Sequence, residues 1–424
     1  MKVRSRIIWH LGVAVSICFS LAANSFAIGF DSTFGTGGKF MTSFSDTGQP
    51  SSAGTDVFLQ PSGRIVVVGQ HQQQGTTSRT SGFALAGLTT AGILDGGFGV
   101  AGKSVSWNPD FHQFLTESRM SSDGAIFILY QRYQSAAMNR ALLVKYTPSG
   151  QIDSNFLADI DIFPNQTTPV LIALGSGGKT YVLVRNGYQF SLIRLTDNGS
   201  RDTTFAPDGI RVLDLNRFYQ PTVRSLTELG NGKLLVMGTL YQGFDGITFV
   251  ARFDSDTNFD RSFGIQGITR LAKYGGTVNG NAMQVQTDGR ILIGGSWTFL
   301  GSTTFLTRLT ARGRIDYSFG SGGLAATSFN DWNVINSIAV SPDGKVIVAG
   351  GCGDKAVPSN QRLFIMRYSA AGVSESSLVT NFIGTREASA SDVVLQSDGK
   401  MVIAGFTQNP ADNFLQLSSA RFLP

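Results

Sequence analysis

The sequence predicts an all-β protein, a seven-bladed β-propeller built from four-stranded antiparallel blades. Three observations lead to this prediction. A glycine-centred turn followed by a hydrophobic strand recurs seven times, each repeat has the same order of four strand-like segments, and the two chain ends hold complementary parts of one repeat. A single four-stranded blade cannot bury both of its faces, whereas radial stacking of blades does so.

The composition favours turns and short strands. Of 424 residues, 51 are glycine, 15% are charged and 42% are hydrophobic. The repeat is clearest in SPDGKVIVAG at 341–350 and QSDGKMVIAG at 396–405, and consecutive turn glycines lie 54 to 61 positions apart. A sustained period of this length is typical of propellers and related repeat folds. The turn glycines are Gly63, Gly124, Gly178, Gly232, Gly289, Gly344 and Gly399.

The residue before each turn glycine is usually Asp, which raises the question of whether these carboxylates form a ligand site. Ser62, Gly177 and Asn231 take the place of this Asp in three units. These residues all form turns, but they do not share a charge. We therefore expect a structural turn here rather than a ring of ligands.

The third strand of most units ends in a basic residue, and a D-x-x-F element follows it. We expect the basic side chain to contact the Asp carboxylate and the Phe to fill a hydrophobic slot between blades. The first unit departs with Gly87, and the sixth has Glu375 and Leu378 in place of Asp and Phe, so local anchoring is in question there. The basic positions are Lys145, Arg194, Arg252, Arg308, Arg367 and Arg421.

The two chain ends predict how the ring closes. The segment FDSTFGTGGKFMTSF at 30–44 contains only a D-x-x-F element and a last strand, and the chain stops after a third strand in SSARFLP at 418–424. Pairing the N-terminal strand with the C-terminal blade would complete the ring and cover two open strand edges.

Residues 1–27 predict a secretory signal peptide. The segment has a basic start, a hydrophobic stretch and a small-x-small site that ends at Ala27. An uncleaved membrane anchor is the alternative. We expect residues 28–424 to form a single propeller domain, exported to the periplasm or secreted, with no membrane span after cleavage.

The charge and the cysteine count narrow the class of protein further. The chain has a net charge of +5, and removal of Lys2, Arg4 and Arg6 with the signal leaves about +2. With no basic stripe, nucleic acid is not expected as a partner. Only Cys352 remains after cleavage, so we expect no internal disulfide.

The repeats resemble those of the delta-60 repeat family of exported bacterial proteins. The family pattern, LD-x-SFG-x-GG followed by DGKI, a hydrophobic segment with AG, and RY, is similar to units across 28–424. This resemblance implies an exported β-propeller. It implies no reaction and no catalytic residues.

The loops predict two unlike faces. The D-G turns and the D-x-x-F elements lie on one face and hardly change between units. The loops between second and third strands and those between blades vary, and they form the variable face, which holds the scarce aromatic residues and histidines. Such a surface favours recognition of an extracytoplasmic glycan or protein; the alternative is that the aromatics only cover the channel. The candidate ligand-binding residues are Trp107, His112, Tyr219, Trp297 and Trp332.

An enzyme is the alternative function, a propeller lyase or hydrolase at the channel mouth of the same face. It would use His71 or His112 with an acid such as Asp110 or Asp331. No G-x-S-x-G, H-E-x-x-H or P-loop motif occurs in the sequence. A structural assembly role also stays open, and the sequence does not determine the oligomeric state.

No metal site and no cofactor are expected. The segment DSDTNFD at 254–260 imitates the start of a calcium loop, but it lacks the required glycine at its sixth position and has Ile265 in place of the final Glu. Two histidines and one cysteine in the mature chain make a zinc site improbable.

Overall fold

The computed structural model confirms a seven-bladed β-propeller of antiparallel blades. It describes residues 27–42, 44, 51–74, 79–134, 139–156, 158, 160–162, 166–215, 221–242, 245–271, 276–298, 302–354, 357–382, 387–408 and 415–424. Of the signal peptide predicted at 1–27, only residue 27 falls within these ranges. The candidate Tyr219 lies outside them. None of the described segments forms a helix of the length and hydrophobicity that crossing a membrane requires.

The strands follow one another around the ring, each blade using consecutive strands from the channel outward. Strand β1 is Lys39–Thr42. Blade 1 contains β2 (Ser52–Leu59), β3 (Ile65–Gln74), β4 (Arg79–Leu88) and β5 (Lys103–Ser106). Blade 2 contains, in its described residues, β6 (His112–Met120), β7 (Ile126–Tyr133) and β8 (Asn139–Tyr146). Blade 3 contains β9 (Thr168–Leu174), β10 (Thr180–Asn186), β11 (Gln189–Leu195) and β12 (Ile210–Leu213). Blade 4 contains β13 (Thr222–Glu228), β14 (Leu234–Gln242), β15 (Asp245–Phe253) and β16 (Ile268–Leu271).

The remaining blades complete the circle. Blade 5 contains β17 (Thr277–Val285), β18 (Ile291–Thr298), β19 (Ser302–Leu309) and β20 (Leu324–Thr327). Blade 6 contains β21 (Trp332–Val340), β22 (Val346–Asp354), β23 (Val357–Tyr368) and β24 (Ser374–Thr380). Blade 7 contains β25 (Ala388–Leu395), β26 (Met401–Gln408) and β27 (Leu415–Phe422), and β1 from the other chain end supplies its fourth strand.

The N-terminal strand closes the ring, as the chain ends predict. Strand β1 pairs antiparallel with β27, with Lys39 opposite Ala420. The side chains of Asp31 and Arg421 meet across the same junction, with Arg421 Nε donating to Asp31 Oδ2 at 2.8 Å. Both side chains are almost fully shielded from solvent. The junction therefore joins the two ends of the chain by a strand pairing and a shielded ion pair.

The hydrophobic core lies between the blades. Second strands alternate their side chains between the two faces of a blade, so each blade packs against both neighbours. Val66 and Val68 of blade 1, for example, pack with Ile126 and Ile128 of blade 2. Burial of such side chains stabilises each by about 1.5–3 kcal/mol.

The D-x-x-F carboxylate binds the basic residue of the third strand, as predicted. The contact recurs in six units, and a second cation from the D-G turn strand reaches the same carboxylate in most of them: Lys179, Lys233, Arg290, Lys345 and Lys400. The repeat pattern did not predict this second cation. The six third-strand pairs are Lys145–Asp153, Arg194–Asp202, Arg252–Asp260, Arg308–Asp316, Arg367–Glu375 and Arg421–Asp31.

The two exceptional units keep this anchor. In blade 1, where Gly87 replaces the basic residue, Arg64 from the turn strand binds Asp95 at 2.7 Å. In blade 6 the longer side chain of Glu375 still accepts from Arg367 Nε at 3.0 Å. The carboxylate–cation contact is therefore intact in both units.

The Phe of the D-x-x-F element packs between neighbouring blades. Phe263 is fully buried and lies under Gly313 of the next blade. A Cβ at Gly313 would stand 2.6 Å from the Phe263 ring, and its φ of +75° also favours glycine. The absence of a side chain at Gly313 thus leaves the space that the Phe263 ring fills.

Candidate functional site: the central channel

A β-bulge interrupts the inner strand of every blade at the same level. In β2 the register shifts between Gly54 and Asp56, which leaves Thr55 unpaired. A bulge re-aims the extra side chain and bends the strand, and here it directs one residue per blade to the channel wall. These bulge residues are Thr55, Thr116, Val170, Arg224, Asn281, Asn336 and Ser391.

The bulge residues line a cavity of about 830 Å³ in the channel. The lining continues along the inner strands from the bulges toward the D-G turns, for example over 55–58 and 281–284. The cavity therefore extends away from the variable loops. Its volume lies in the range of roughly 300–1,000 Å³ found for small-ligand sites.

In blades 7, 1 and 2 the residue after the bulge is a carboxylate that accepts a hydrogen bond from the next blade. Asp392 of blade 7 accepts from the backbone N–H of Val57 in blade 1 at 3.0 Å and from Ser337 of blade 6 at 2.6 Å. Asp56 of blade 1 accepts from the Ser118 hydroxyl of blade 2 at 2.7 Å. These carboxylates tether successive blades.

Glu117 makes the same kind of contact between blade 2 and blade 3. It accepts from the backbone N–H of Ile172 at 2.7 Å and forms an ion pair with Arg119 on its own strand. Together Asp392, Asp56 and Glu117 form the acidic arc, which occupies one side of the channel in blades 7, 1 and 2. Arg224 lies in blade 4, away from this arc.

Burial makes the acidic arc easier to protonate. Desolvation raises the pKa of Glu117 to about 7, although the nearby Arg119 charge opposes the shift. Desolvation, with the Asp56 charge beside it, raises the pKa of Asp392 to about 6. Burial also raises the pKa of Asp56. At neutral pH this wall therefore holds fewer negative charges than its three carboxyl groups suggest.

The arc offers protonatable oxygens rather than a metal cage. Within the described ranges, no three or more His, Cys, Asp or Glu side chains are placed to hold a metal ion. The arc's oxygens already accept inter-blade hydrogen bonds, and the amides of the bulge residues Asn281 and Asn336 donate to carbonyls of the next blade. Hydroxyl groups and the Arg224 guanidinium also border the cavity. The channel can therefore bind a polar ligand by hydrogen bonding.

His71 lies inside blade 1 rather than on a surface. Its side chain is fully buried near the end of β3, with the Phe44 ring centroid 6.1 Å away. Burial lowers the pKa of His71 to about 4, and a backbone contact with Ser106 opposes this only in part. His71 is therefore neutral at physiological pH.

His112 and Trp107 both lie where blade 1 meets blade 2, and they bind the adjacent residues Ser81 and Thr80. His112 Nδ1 accepts from the backbone N–H of Ser81 at 3.1 Å, and its ring stacks on Phe114. Trp107 is half-buried and donates through Nε1 to the Thr80 hydroxyl at 2.8 Å. Both residues, which the sequence assigned to variable loops, therefore lie at one blade junction.

The other candidates lie in different places. Asp110 is exposed in the connection between blades 1 and 2. Trp297 is half-buried on β18 of blade 5, and Trp332 is half-buried at the start of β21 with its ring against the backbone of Gly351. Asp331 is exposed beside Trp332. The three tryptophans thus belong to three different regions of the ring, and their role in binding stays a prediction.

Comparison with known proteins agrees with the fold. Residues 177–205 and 286–319 match the sequence profile of a family described as "Domain of unknown function (DUF5122) beta-propeller". The chain is a β-propeller repeat protein. Among curated proteins, none matches it in sequence.

Several solved structures are similar to the propeller at low identity. Polysaccharide lyase Uly1 is 10% identical with a TM-score of 0.48, over 87% of this chain and 89% of that one. Drosophila Plexin A, solved in complex with Semaphorin 1b, is 11% identical with a TM-score of 0.43, over 93% and 86%. A glycosyl hydrolase from Bacteroides ovatus is 13% identical with a TM-score of 0.30, over 66% and 84%.

Proposed function

We propose that this protein is an exported binding module whose variable face and channel mouth recognise a glycan or protein of the cell envelope. In this proposal residues 1–27 are removed as a signal peptide, and 28–424 form the mature propeller. The resemblance of the repeats to the delta-60 repeat family supports export.

The ring of bulge residues carries this proposal. Positions that hold the ring together repeat from blade to blade, as the Arg–carboxylate pairs and the Phe plugs do. The bulge position instead carries Thr, Thr, Val, Arg, Asn, Asn and Ser around the channel. Because these varied side chains all line the channel cavity, their variation favours a surface adapted to a ligand.

The burial and hydrogen bonding of His71 and His112 favour a binding module over an enzyme that uses a histidine as its base. A general base needs a free nitrogen within reach of a substrate. His71 is fully buried, so a substrate does not reach its ring. His112 Nδ1 accepts a backbone hydrogen bond, which leaves the proton of the neutral ring on Nε2, the nitrogen that would have to act as the base. Neither geometry supports a histidine base at the channel mouth.

Acid catalysis in the channel is the second candidate function. Glu117 borders the cavity with a pKa of about 7, which is the range of a general acid at neutral pH. Incubation with envelope polysaccharides, with Glu117→Gln as the control, tests it. New chain ends formed by wild type and not by the variant would establish a lyase or hydrolase and overturn the binding-only proposal.

A ligand screen tests the binding module. Purified protein would be titrated with envelope glycans and fractionated envelope extracts by calorimetry. We expect saturable binding that weakens at least tenfold in Trp332→Ala and survives in His112→Gln. Tyr317→Ala is the matched control because Tyr317 is 75% exposed in blade 5 and belongs to the D-x-x-F element on the other face. Absence of saturable binding to every fraction, or equal loss in Tyr317→Ala, would contradict the proposal.

A further inference from the structure

A small polar pocket lies between blades 4 and 5, on the variable-face side of the channel. Its volume is about 150 Å³. The walls come from the starts of inner strands β13 and β17 and from the ends of second strands β14 and β18, which all point to that face. The side chains that matter for the argument are Arg224, Thr239, Tyr241, Asn279, Asn281 and Ser296.

Arg224 connects this pocket with the channel. It lies at the bulge of β13 and lines both cavities. Its side chain is exposed, and within the described part of the chain no carboxylate pairs with it. Arg119, the other arginine of the channel wall, is paired with Glu117. A guanidinium without a partner offers a planar fork that matches an anionic group.

The groups around Arg224 add hydrogen-bonding capacity and an apolar surface. Asn279 and Ser296 are half-buried in the pocket wall, and neither is engaged by another described side chain. Tyr241 is 50% exposed at the end of β14, so its ring is open to contact. An aromatic ring beside amide and hydroxyl groups presents both the apolar and the polar contacts that a sugar ring requires.

The charge balance selects a singly charged ligand group. Among the described residues Arg224 is the only cation lining the pocket, which suits one carboxylate better than a phosphate of nearly two charges. The pocket is also smaller than the roughly 300–1,000 Å³ of a complete ligand site, so it holds one unit of a ligand that continues into the channel.

We infer that this pocket binds a carboxylated sugar residue, a uronic acid unit of a glycan, with Arg224 holding the carboxylate. The inference rests on the proposed function, since it names the ligand class of the same face. Asn279 and Ser296 would receive the hydroxyl groups, and the Tyr241 ring would cover the apolar face of the sugar.

Calorimetric titration of the purified protein tests the inference. The probes are oligosaccharides containing glucuronate or galacturonate, their neutral glucose and galactose counterparts, and inorganic phosphate. We expect the acidic sugars to bind at least tenfold tighter than the neutral ones, and Arg224→Gln to weaken only the acidic sugars, on the order of ten- to hundredfold. Arg224→Lys should restore part of the affinity because it keeps the charge without the fork.

Arg185→Gln is the matched control. Arg185 is an exposed arginine near the end of β10, the second strand of blade 3, and lies outside the pocket. It should leave the affinity unchanged, and melting curves should show that all variants stay folded.

The outcomes separate this inference from the proposed function. Equal affinity for acidic and neutral sugars, insensitive to Arg224→Gln, would overturn the uronic acid site and leave the binding module standing. Phosphate binding with the same Arg224 dependence would overturn it in favour of a general anion site. Failure of every saccharide to bind would overturn it as well, and the envelope-extract screen would then decide the proposed function alone.

Discussion

Replacing Asp31 by Asn should open the propeller at the junction of its two chain ends. The Asp31 carboxylate accepts from Arg421 Nε at 2.8 Å and lies 3.2 Å from Lys400 Nζ. Its other oxygen accepts from the backbone N–H and hydroxyl of Thr33. These partners hold the pKa of Asp31 well below its usual range despite the opposing effect of burial. Asparagine keeps the shape but removes the charge.

The loss follows from the burial of the pair. The Asp31 and Arg421 side chains are only 5% and 6% exposed, and removing one partner of a buried pair costs about 3–5 kcal/mol. The lower end applies, because Arg421 keeps hydrogen bonds to the Thr90 carbonyl and the Thr33 hydroxyl. We therefore expect a loss of about 3 kcal/mol in the free energy of unfolding.

Asp260→Asn is the control that isolates ring closure. Asp260 makes equivalent contacts inside blade 4, with Arg252 at 2.9 Å and Lys233 at 2.7 Å. Urea denaturation should show similar losses for both variants. Hydrogen exchange should accelerate in β1 only in Asp31→Asn, because only that pair holds the strand from the opposite chain end. Unchanged protection of β1, or a loss below about 1 kcal/mol, would refute the closure role of the pair.

Two further predictions concern stability. Because the pKa of Glu117 is raised to about 7, the folded state holds its proton more tightly than the unfolded state, and the stability this gives is lost as pH rises from about 4.5 to about 7. Glu117→Gln should remove this dependence, so its free energy of unfolding should fall less than that of wild type between pH 4.5 and pH 7; urea melts that show parallel pH profiles would contradict it. Phe319→Ala should cost about 3–5 kcal/mol, because the ring is fully buried against Gly372 of blade 6. Tyr317→Ala, exposed in the same element, should cost less than about 0.5 kcal/mol in the same melts.

Much of the architecture could be predicted because its positions repeat. The D-x-x-F carboxylate recurs with a basic residue at a fixed offset, so the pair could be predicted from spacing alone. The replacement of the third-strand cation in blade 1 by Arg64 could not be predicted in this way. Arg64 reaches Asp95 from the turn strand, and which strands lie side by side is a property of the blade rather than of the spacing.

The acidic arc was missed for a different reason. Asp56, Glu117 and Asp392 occur in only three of the seven units, so a search for repeated residues discards them. Each tethers a different neighbouring group, namely a hydroxyl or a backbone N–H of the next blade. His71 shows the converse error. It occurs once in a variable segment, which suggested a surface role, but the end of β3 turns its ring into the blade.

The bulge residues stand at a constant distance from the turn glycines. In all seven units the bulge residue precedes the turn glycine by eight positions, as Thr55 precedes Gly63 and Arg224 precedes Gly232. The turn fixes the register of the hairpin, and the bulge changes which side chains face the channel. In a strand without a bulge, successive side chains point to opposite faces throughout. Because each inner strand here contains a bulge, the residues of the channel wall cannot be assigned from this alternation alone.

The same register separates two kinds of position that are adjacent in sequence. The residue eight before the glycine lines the channel, although Asn281 and Asn336 at this position also donate to the next blade. In the acidic arc the residue seven before the glycine accepts hydrogen bonds from the next blade. Substitution of Asp392 therefore tests the joint between blades 7 and 1, while substitution of Arg224 tests what the channel binds. A loss of binding can be assigned to the ligand site only if the variant is of the first kind and keeps its stability.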